Sequence, residues 1–386
     1  MNISALPIPD ADAIAHSARL LALIRKEVLD AGGWISFARY MELALYAPGL
    51  GYYSAGAQKF GEVGDFVTAP EMTPLFGQTL ARQVIEVLAQ TGGSVLELGA
   101  GRGRLAAAML EEMQRADALP AQYLIMEVSA DLREVQRQYL QLTLAPALYE
   151  RVSWLDALPA EFTGVVLANE VLDAVPVHLV RRESDQWQEI GVAVDEAEAL
   201  MLDSRPLIDV SLVSGIDALA LPEHYQTEVS PAAQALVASL AQCLREGVLL
   251  FIDYGFSRAE YYHPQRHQGT LMCHYRHHAH PDPLLYPGLQ DVTAHVDFSA
   301  MAEAGLGQGL QLLGYCGQAQ FLINCGITDL MLRVPAHDLR RYAPLASQAQ
   351  KLLSPAEMGE LFKVIALGRG MGPLSGFVRG DRSHTL

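Results

Sequence analysis

Two stretches of the chain carry residue types that could do chemistry. In "NEVLDAVPV", Asn169 to Val177, an amide and a carboxylate come directly after the apolar run Val165–Ala168, and a second carboxylate, Asp173, follows ahead of Pro176. A buried strand ending in this way presents groups able to hold a cation and accept a proton. The same residues also read as a helix start, with Asn169 as N-cap and Glu170 in the first turn. In "VLELGAGRG", Val95 to Gly103, an acid is followed by three glycines at alternate positions. Glycines there let the backbone approach a ligand closely and deliver it to a helix N-terminus.

The glycine spacing discriminates between cofactors. A dinucleotide fingerprint needs a glycine at position 104, where this chain has Arg104. Glu97-x-Gly99-x-Gly101-x-Gly103 instead resembles the loop of class I S-adenosylmethionine (SAM) methyltransferases. Glu127 ends the next apolar run, and an acid there can accept both hydrogen bonds of a ribose diol in either cofactor family. In "VSWLDALP", Leu155 and Asp156 stand where such enzymes hold adenine, an apolar contact beside a carboxylate. The plainer role for Glu97 is a loop or helix-dipole hydrogen bond. With SAM the cofactor brings an already electrophilic methyl group, so the protein must orient the nucleophile and remove a proton.

Segments of regular apolar spacing must position these groups. Residues 11–30 place Ile14, Ala18, Leu21, Ile24 and Val28 at helical spacing, predicting an amphipathic helix. Tyr46 to Gly77 is rich in glycine and aromatics, too apolar for a linker and too irregular for one element, and is expected to be a functional loop. A helix is expected through Gln78–Leu88. Val95–Leu98, Tyr123–Val128, Gly164–Ala168 and Val248–Asp253 are nearly all apolar, as parallel strands covered on both faces must be. Alternating with helices, they predict a doubly wound, mostly parallel α/β sheet. On that count Gly164–Ala168 is the third strand and Val248–Asp253 the fourth, and their exits should face the methyl group. Val177 to Asp203 alternates like a hairpin, and Ser230-Pro231 opens a helix as N-cap and first helical residue. A His-, Tyr- and Pro-rich segment, Phe256 to Asp297, follows. Further strands are expected around Leu310–Gly314 and Phe362–Leu367. The expected organisation is an N-terminal helical and loop cap over 1–90 and a core over 91–386, with insertions near 177–228 (β-hairpin) and 256–304 (substrate-side loop).

Composition narrows the function classes. Of 386 residues 51% are apolar and 18% charged, which is a folded chain rather than a disordered one. A formal charge of -17 argues against nucleic acid as partner. Cys243, Cys273, Cys316 and Cys325 form no CxxC pair and read as reduced thiols. Asp10 and Asp12 precede the first basic residue, Arg19, so neither a signal nor a transit peptide is expected. With no apolar run long enough to span a bilayer, no membrane insertion is expected and the location is expected to be cytoplasmic.

"GYYS", "GDFVTAPEMTPLFG", "VLELGAGRG", "ANEVLDAVPVH", "FIDYG" and "PGLQDVTAHVDF" together resemble the MidA family of class I methyltransferases, over nearly the full chain. The resemblance implies the class I (Rossmann-like) methyltransferase fold, SAM as cofactor and a protein substrate. A mitochondrial relative methylates an arginine of a respiratory complex I subunit, so such a subunit is the partner the resemblance suggests. Gly99, Gly101 and Glu127 match the family's cofactor positions. Asp65, Phe66, Thr68, Pro70 and Glu71 match its "GDFxTxPE" lid, with Asp65, Thr68 and Pro70 counted on the cofactor side. Asn169, Glu170 and Asp173 match its acidic loop, and Asp253-Tyr254-Gly255 and His295-Asp297 match two further rim motifs.

The expected catalytic residues are therefore Glu170, Asp173, Asn169, Asp253 and His295. A guanidinium does not lose its proton free in water, so arginine methylation needs carboxylates to hold the group and localise its charge. Tyr254 could wall the substrate or pack in the core, and His295 could equally be a structural histidine bonded to Asp297 or backbone. Cys273, His274, His277, His278 and His280 match no common zinc spacing, and no metal is expected. A small-molecule N- or O-methyltransferase and a non-enzymatic assembly factor retaining SAM stay open as alternatives, as does a homodimer.

Overall fold

The computed structural model describes residues 6–55 and 68–386. Asp65 and Phe66 of the expected lid lie outside them. The chain falls into two compact units. One is Val67–Leu172 with Leu236–Ser257 and Val296–Leu386; the other is Met1–Phe66 with Asp173–Ala235 and Arg258–His295.

The first unit is built on a sheet of β1 (Ser94–Leu98), β2 (Tyr123–Met126), β3 (Val152–Leu155), β4 (Phe162–Asn169), β5 (Leu244–Phe256), β6 (Gln311–Gly317) and β7 (Phe362–Arg369). Their order is β6-β7-β5-β4-β1-β2-β3, with Val296–Asp297 added beside the end of β5. β3, β2, β1, β4 and β5 are mutually parallel, while β7 runs antiparallel to β5 and β6. The order is thus that of a dinucleotide-binding sheet with one antiparallel strand inserted before the edge. Val95, Val165, Leu167, Val248 and Leu250 enter one apolar cluster. Leu96, Val166 and Leu249, which point the other way, are also buried, so both faces are covered and the strands read as continuous apolar runs.

β3 corrects the strand count. Its residues Val-Ser-Trp-Leu form no apolar run, and only the first is buried, because an edge strand needs cover on fewer sides. β4 and β5 are accordingly the fourth and fifth strands. The helix after the loop is Pro74–Thr91, longer than Gln78–Leu88, and belongs to this unit.

The second unit gathers the helix Ala11–Asp30, the helix Phe37–Tyr46, an antiparallel sheet and a small three-stranded sheet. In the larger sheet His178–Glu183 pairs with Gln186–Val194 and with Gln226–Val229. Trp34–Ser36 and Leu200–Pro206 pair with Gln186–Val194. Leu20, Ile24, Val28, Phe37, Tyr40, Leu179, Ile190 and Val192 share its core. The segment expected to be a substrate-side loop carries paired strands. Met272–Tyr275 and His278–His280 form a hairpin whose two turn residues, Arg276 and His277, both have positive φ, the mirror-image turn that suits a two-residue connection.

Candidate cofactor and acceptor residues

Strand register assembles the first group of candidates. Leu155 is opposite Met126, Met126 opposite Leu98, Leu98 opposite Ala168, and Ala168 opposite Phe251. The next residue of each strand therefore emerges along one edge: Asp156, Glu127, Gly99 and Asn169. That edge is the carboxyl end of the parallel strands, where open α/β sheets bind ligands.

The glycine loop turns back through three left-handed residues, with φ of 61° at Gly99, 52° at Gly101 and 84° at Gly103. A Cβ on Gly99 would stand 3.0 Å from the Val171 side chain, whereas one on Gly101 would meet nothing within 4 Å. Gly101 thus faces open space at the start of helix Arg104–Arg115, a cradle that a side chain would fill. Arg104, where a dinucleotide loop has glycine, pairs through Nε with Glu71 at 2.7 Å. Burial raises the Glu71 carboxyl, and Arg104 and Arg102 oppose that shift. Thr68 caps the short helix Ala69–Met72 with its carbonyl and Pro70 sits in its first turn. These residues shape the turn and brace it against the loop.

Glu127 is buried, and its Oε1 accepts from the Ser129 amide at 3.0 Å. Burial raises its carboxyl despite that bond and a second from Gln136. Each oxygen keeps another lone pair for a hydroxyl. Glu97 is different. It is buried beneath the loop, accepts from the Tyr123 hydroxyl at 2.6 Å and is pushed up to about 7 by burial. The plainer reading of Glu97, a structural hydrogen bond, is what this geometry displays. Leu155 is half-buried, while Asp156 is exposed and pairs with Arg133.

At the exit of β4 the helix-cap reading fails, since no helix follows Asn169. Glu170 instead adopts a left-handed φ of 52°, its amide donating to the Ile252 carbonyl at 2.9 Å. A non-glycine residue held there is uncommon and signals a constraint from its surroundings. Asn169 Nδ2 donates to Glu170 Oε1 at 2.9 Å, and Asn169 Oδ1 is buried with no hydrogen-bond partner among the described residues. The open cradle at Gly101 and this orphaned acceptor both fit a bound cofactor. Asp253, expected on the catalytic rim, accepts with Oδ2 from the amides of Val171 and Leu172 and with Oδ1 from that of Tyr254. Tyr254 packs on Phe362, ring centroids 3.9 Å apart. Asp297 caps helix Phe298–Leu306 through the Ser299 and Ala300 amides.

In the other unit, three of the quoted motifs converge. Tyr53 of "GYYS" donates to both oxygens of Asp291 in "QDVTAH" at 3.0 Å and stacks with Tyr46. The Asp173 carbonyl accepts from the Ala294 amide at 3.0 Å, and the Asp173 carboxyl, buried, is pushed up to about 7. Burial raises the Tyr53 phenol strongly, with Asp291 and Asp173 adding to it. His295 is half-buried, and its amide donates to Thr270 Oγ1 at 3.0 Å. No His, Cys, Asp or Glu cluster among the described residues could hold a metal. Cys273 and His280 face each other across the hairpin, and burial raises the Cys273 thiol.

Arg133 and Gln136 join these residues without a signal in the sequence. Arg133 Nε donates to the Glu127 carbonyl at 2.7 Å and one terminal nitrogen to the Leu155 carbonyl at 2.6 Å. Gln136, fully buried, contacts the glycine loop and Glu127. Both lie on the helix Ala130–Thr143, which is polar along most of its length and reads as a solvated surface helix.

A family model for S-adenosyl-L-methionine-dependent methyltransferases matches residues 79–316. The human mitochondrial protein arginine methyltransferase NDUFAF7 is 31% identical over 376 residues, covering 87% of this chain and 80% of that one. Its Danio rerio counterpart is 30% identical, covering 87% and 84%. A COG1565-superfamily structure from Burkholderia thailandensis, bound to S-adenosyl-homocysteine, superposes with a TM-score of 0.96 at 52% identity, covering 99% of this chain and 100% of that one.

Proposed function

Because the chain belongs to the MidA family of SAM-dependent methyltransferases, we propose that the acceptor of its methyl group is an arginine side chain of a protein. The bound cofactor supplies the electrophilic methyl group, and this chain's residues supply the rest. Gly99, Gly101 and Gly103 admit the cofactor's amino-acid portion to the backbone. Glu127 takes the ribose hydroxyls, and Leu155 with Asp156 borders the adenine. Glu170 grips the guanidinium, its carboxylate fixed by Asn169. Asp173, three residues on in the chain, carries a carboxyl ionising close to neutral pH, a property suited to a proton acceptor. Asp253 acts by holding the Val171–Leu172 backbone rather than by touching substrate.

The observation that carries this reading is Glu170 itself. A left-handed residue at a strand exit, with its carboxylate hydrogen-bonded to its neighbour, is costly unless the carboxylate is needed where it is. The mitochondrial relatives, which are protein arginine methyltransferases, support arginine as the acceptor. Four free, buried cysteines accord with a reducing compartment.

The test is incubation of the purified protein with labelled SAM and lysate from a strain lacking it, then mass spectrometry of labelled bands. Label on arginine of a protein is the expected result. Label confined to small metabolites would refute the protein acceptor, and none at all would favour an assembly role.

A further inference from the structure

The buried face of helix Ala130–Thr143 bonds to three of the segments that border the cofactor edge. Gln136 Nε2 donates to the Gly101 carbonyl at 2.9 Å and to Glu127 Oε2 at 3.1 Å. Its Oε1 accepts from Trp154 Nε1, one residue before Leu155, at 2.8 Å. The orientation of the amide is fixed by its partners, since an indole only donates and a carbonyl only accepts. Three residues earlier, on the same helix face, Arg133 bonds to the carbonyls of Glu127 and Leu155. One side chain thus links the glycine loop, the carboxylate after β2 and the edge strand β3.

We propose that Gln136 is a positioning residue for the cofactor, aiming and keeping ionised the Glu127 carboxylate while holding it at fixed spacing from the Gly101 loop. The proposal rests on the assignment of Glu127 to the ribose. A carboxylate in a buried site drifts towards its neutral form, and a neutral acid offers a hydroxyl diol a poorer acceptor. The groups facing Glu127 are Gln136 and Arg133 from the helix, the Val128 and Ser129 amides from its own loop, and Glu97 from β1. Arg133 and the amides favour the ionised form, and Glu97 opposes it when charged. Gln136 is a neutral donor that supports the charge and anchors the glycine loop at once.

The test is calorimetric titration of S-adenosyl-homocysteine into the full chain at pH 6 and pH 8.5, each variant scored as its ratio to the unmutated protein. Gln136→Leu removes the donor, so Glu127 takes up a proton more readily; affinity should fall on the order of tenfold at pH 6 and less at pH 8.5. Gln136→Glu should show the reverse slope. Protonated, the new acid can still donate to Glu127; ionised, it repels it. A packing role alone would give both variants the same loss at both pH values, and that result, or unchanged affinity in both, overturns the proposal. Should both variants fail to fold, Trp154→Phe, which frees the amide from its third partner, should weaken binding more at pH 6; a flat ratio would count against the proposal. Glu127→Gln separates the underlying assignment. If it binds as the unmutated protein does, Glu127 is not the ribose acceptor; if it binds weakly while Gln136 variants are flat, only the role of Gln136 falls.

Discussion

Asp253 clamps the backbone of Leu172: its Oδ2 takes the Leu172 amide at 2.8 Å and that of Val171 at 3.1 Å. One strand exit is thereby tied to its neighbour by a buried carboxylate. Removing the side chain leaves buried amides without partners, each costing about 1–3 kcal/mol. Asp253→Ala should lower stability in denaturant titration by about 2–4 kcal/mol and reduce turnover along with it. A stable Asp253→Ala protein with abolished turnover would instead make Asp253 a direct participant in the chemistry.

Glu170 can be separated into its backbone and its carboxylate. Glu170→Gly and Glu170→Ala both delete the acid, and both should lose nearly all turnover while keeping S-adenosyl-homocysteine affinity within a few-fold. Only glycine relaxes in the left-handed region, so Glu170→Gly should exceed Glu170→Ala in stability by about 1 kcal/mol. Equal stability of the two would show that the position is unstrained, and retained turnover would remove Glu170 from the reaction.

Gly101 tests the cradle. Its φ is 52°, and a Cβ added there meets no protein atom within 4 Å. Gly101→Val should therefore fold with a loss of about 1–2 kcal/mol from backbone strain and show no heat of S-adenosyl-homocysteine binding. Binding within tenfold of the unmutated protein would place the cofactor elsewhere.

Asp173 sets an expected pH profile. Burial pushes its carboxyl up to about 7, so it is largely protonated below that value and becomes a proton acceptor above it. kcat/KM for an arginine-containing peptide should rise as pH rises through about 7. Asp173→Asn should remove that inflection and lower the plateau. The same inflection in Asp173→Asn would assign it to another group.

Glu97 should make the fold pH-sensitive in the opposite sense. It ionises near 7 when folded, because it is buried, against 4.5 in the unfolded chain. Between those values the folded state keeps a proton that the unfolded state has released, so stability falls as pH rises through the window and levels off above it. Glu97→Gln should flatten this part of the curve, with a gain on the order of 3 kcal/mol at pH 8. A curve unchanged by the substitution would mean that Glu97 is ionised in the fold.

The features legible in the sequence were those that depend on chain order. Strand, glycines and the acid of the next strand follow one another closely, and parallel register then puts Gly99 and Glu127 on one edge without further information. What the sequence could not convey was the direction of polar atoms. Asp253 and Asp297 look like rim acids in a string, yet Asp253 holds the amides of Val171, Leu172 and Tyr254, and Asp297 Oδ1 holds those of Ser299 and Ala300. The Asp297 cap had a local signal, an aspartate immediately ahead of an apolar helix. Gln136 had none, because a buried glutamine on a polar helix is identified only by the partners the fold brings to it, Gly101, Glu127 and Trp154. β3 itself was missed because the edge of a sheet does not require an apolar run.

The second unit has a consequence for synthesis on the ribosome. Its strand Trp34–Ser36 has its hydrogen-bond partner at Gly191–Ala193, and between them the chain must first emit most of the parallel sheet. At about 5–20 residues per second, the amino-terminal segment waits on the order of ten seconds for that partner. Ile35 and Phe37, buried in the finished protein, lack that strand as cover throughout the interval. Slowing elongation between the two strands should raise the aggregated fraction without altering the native state.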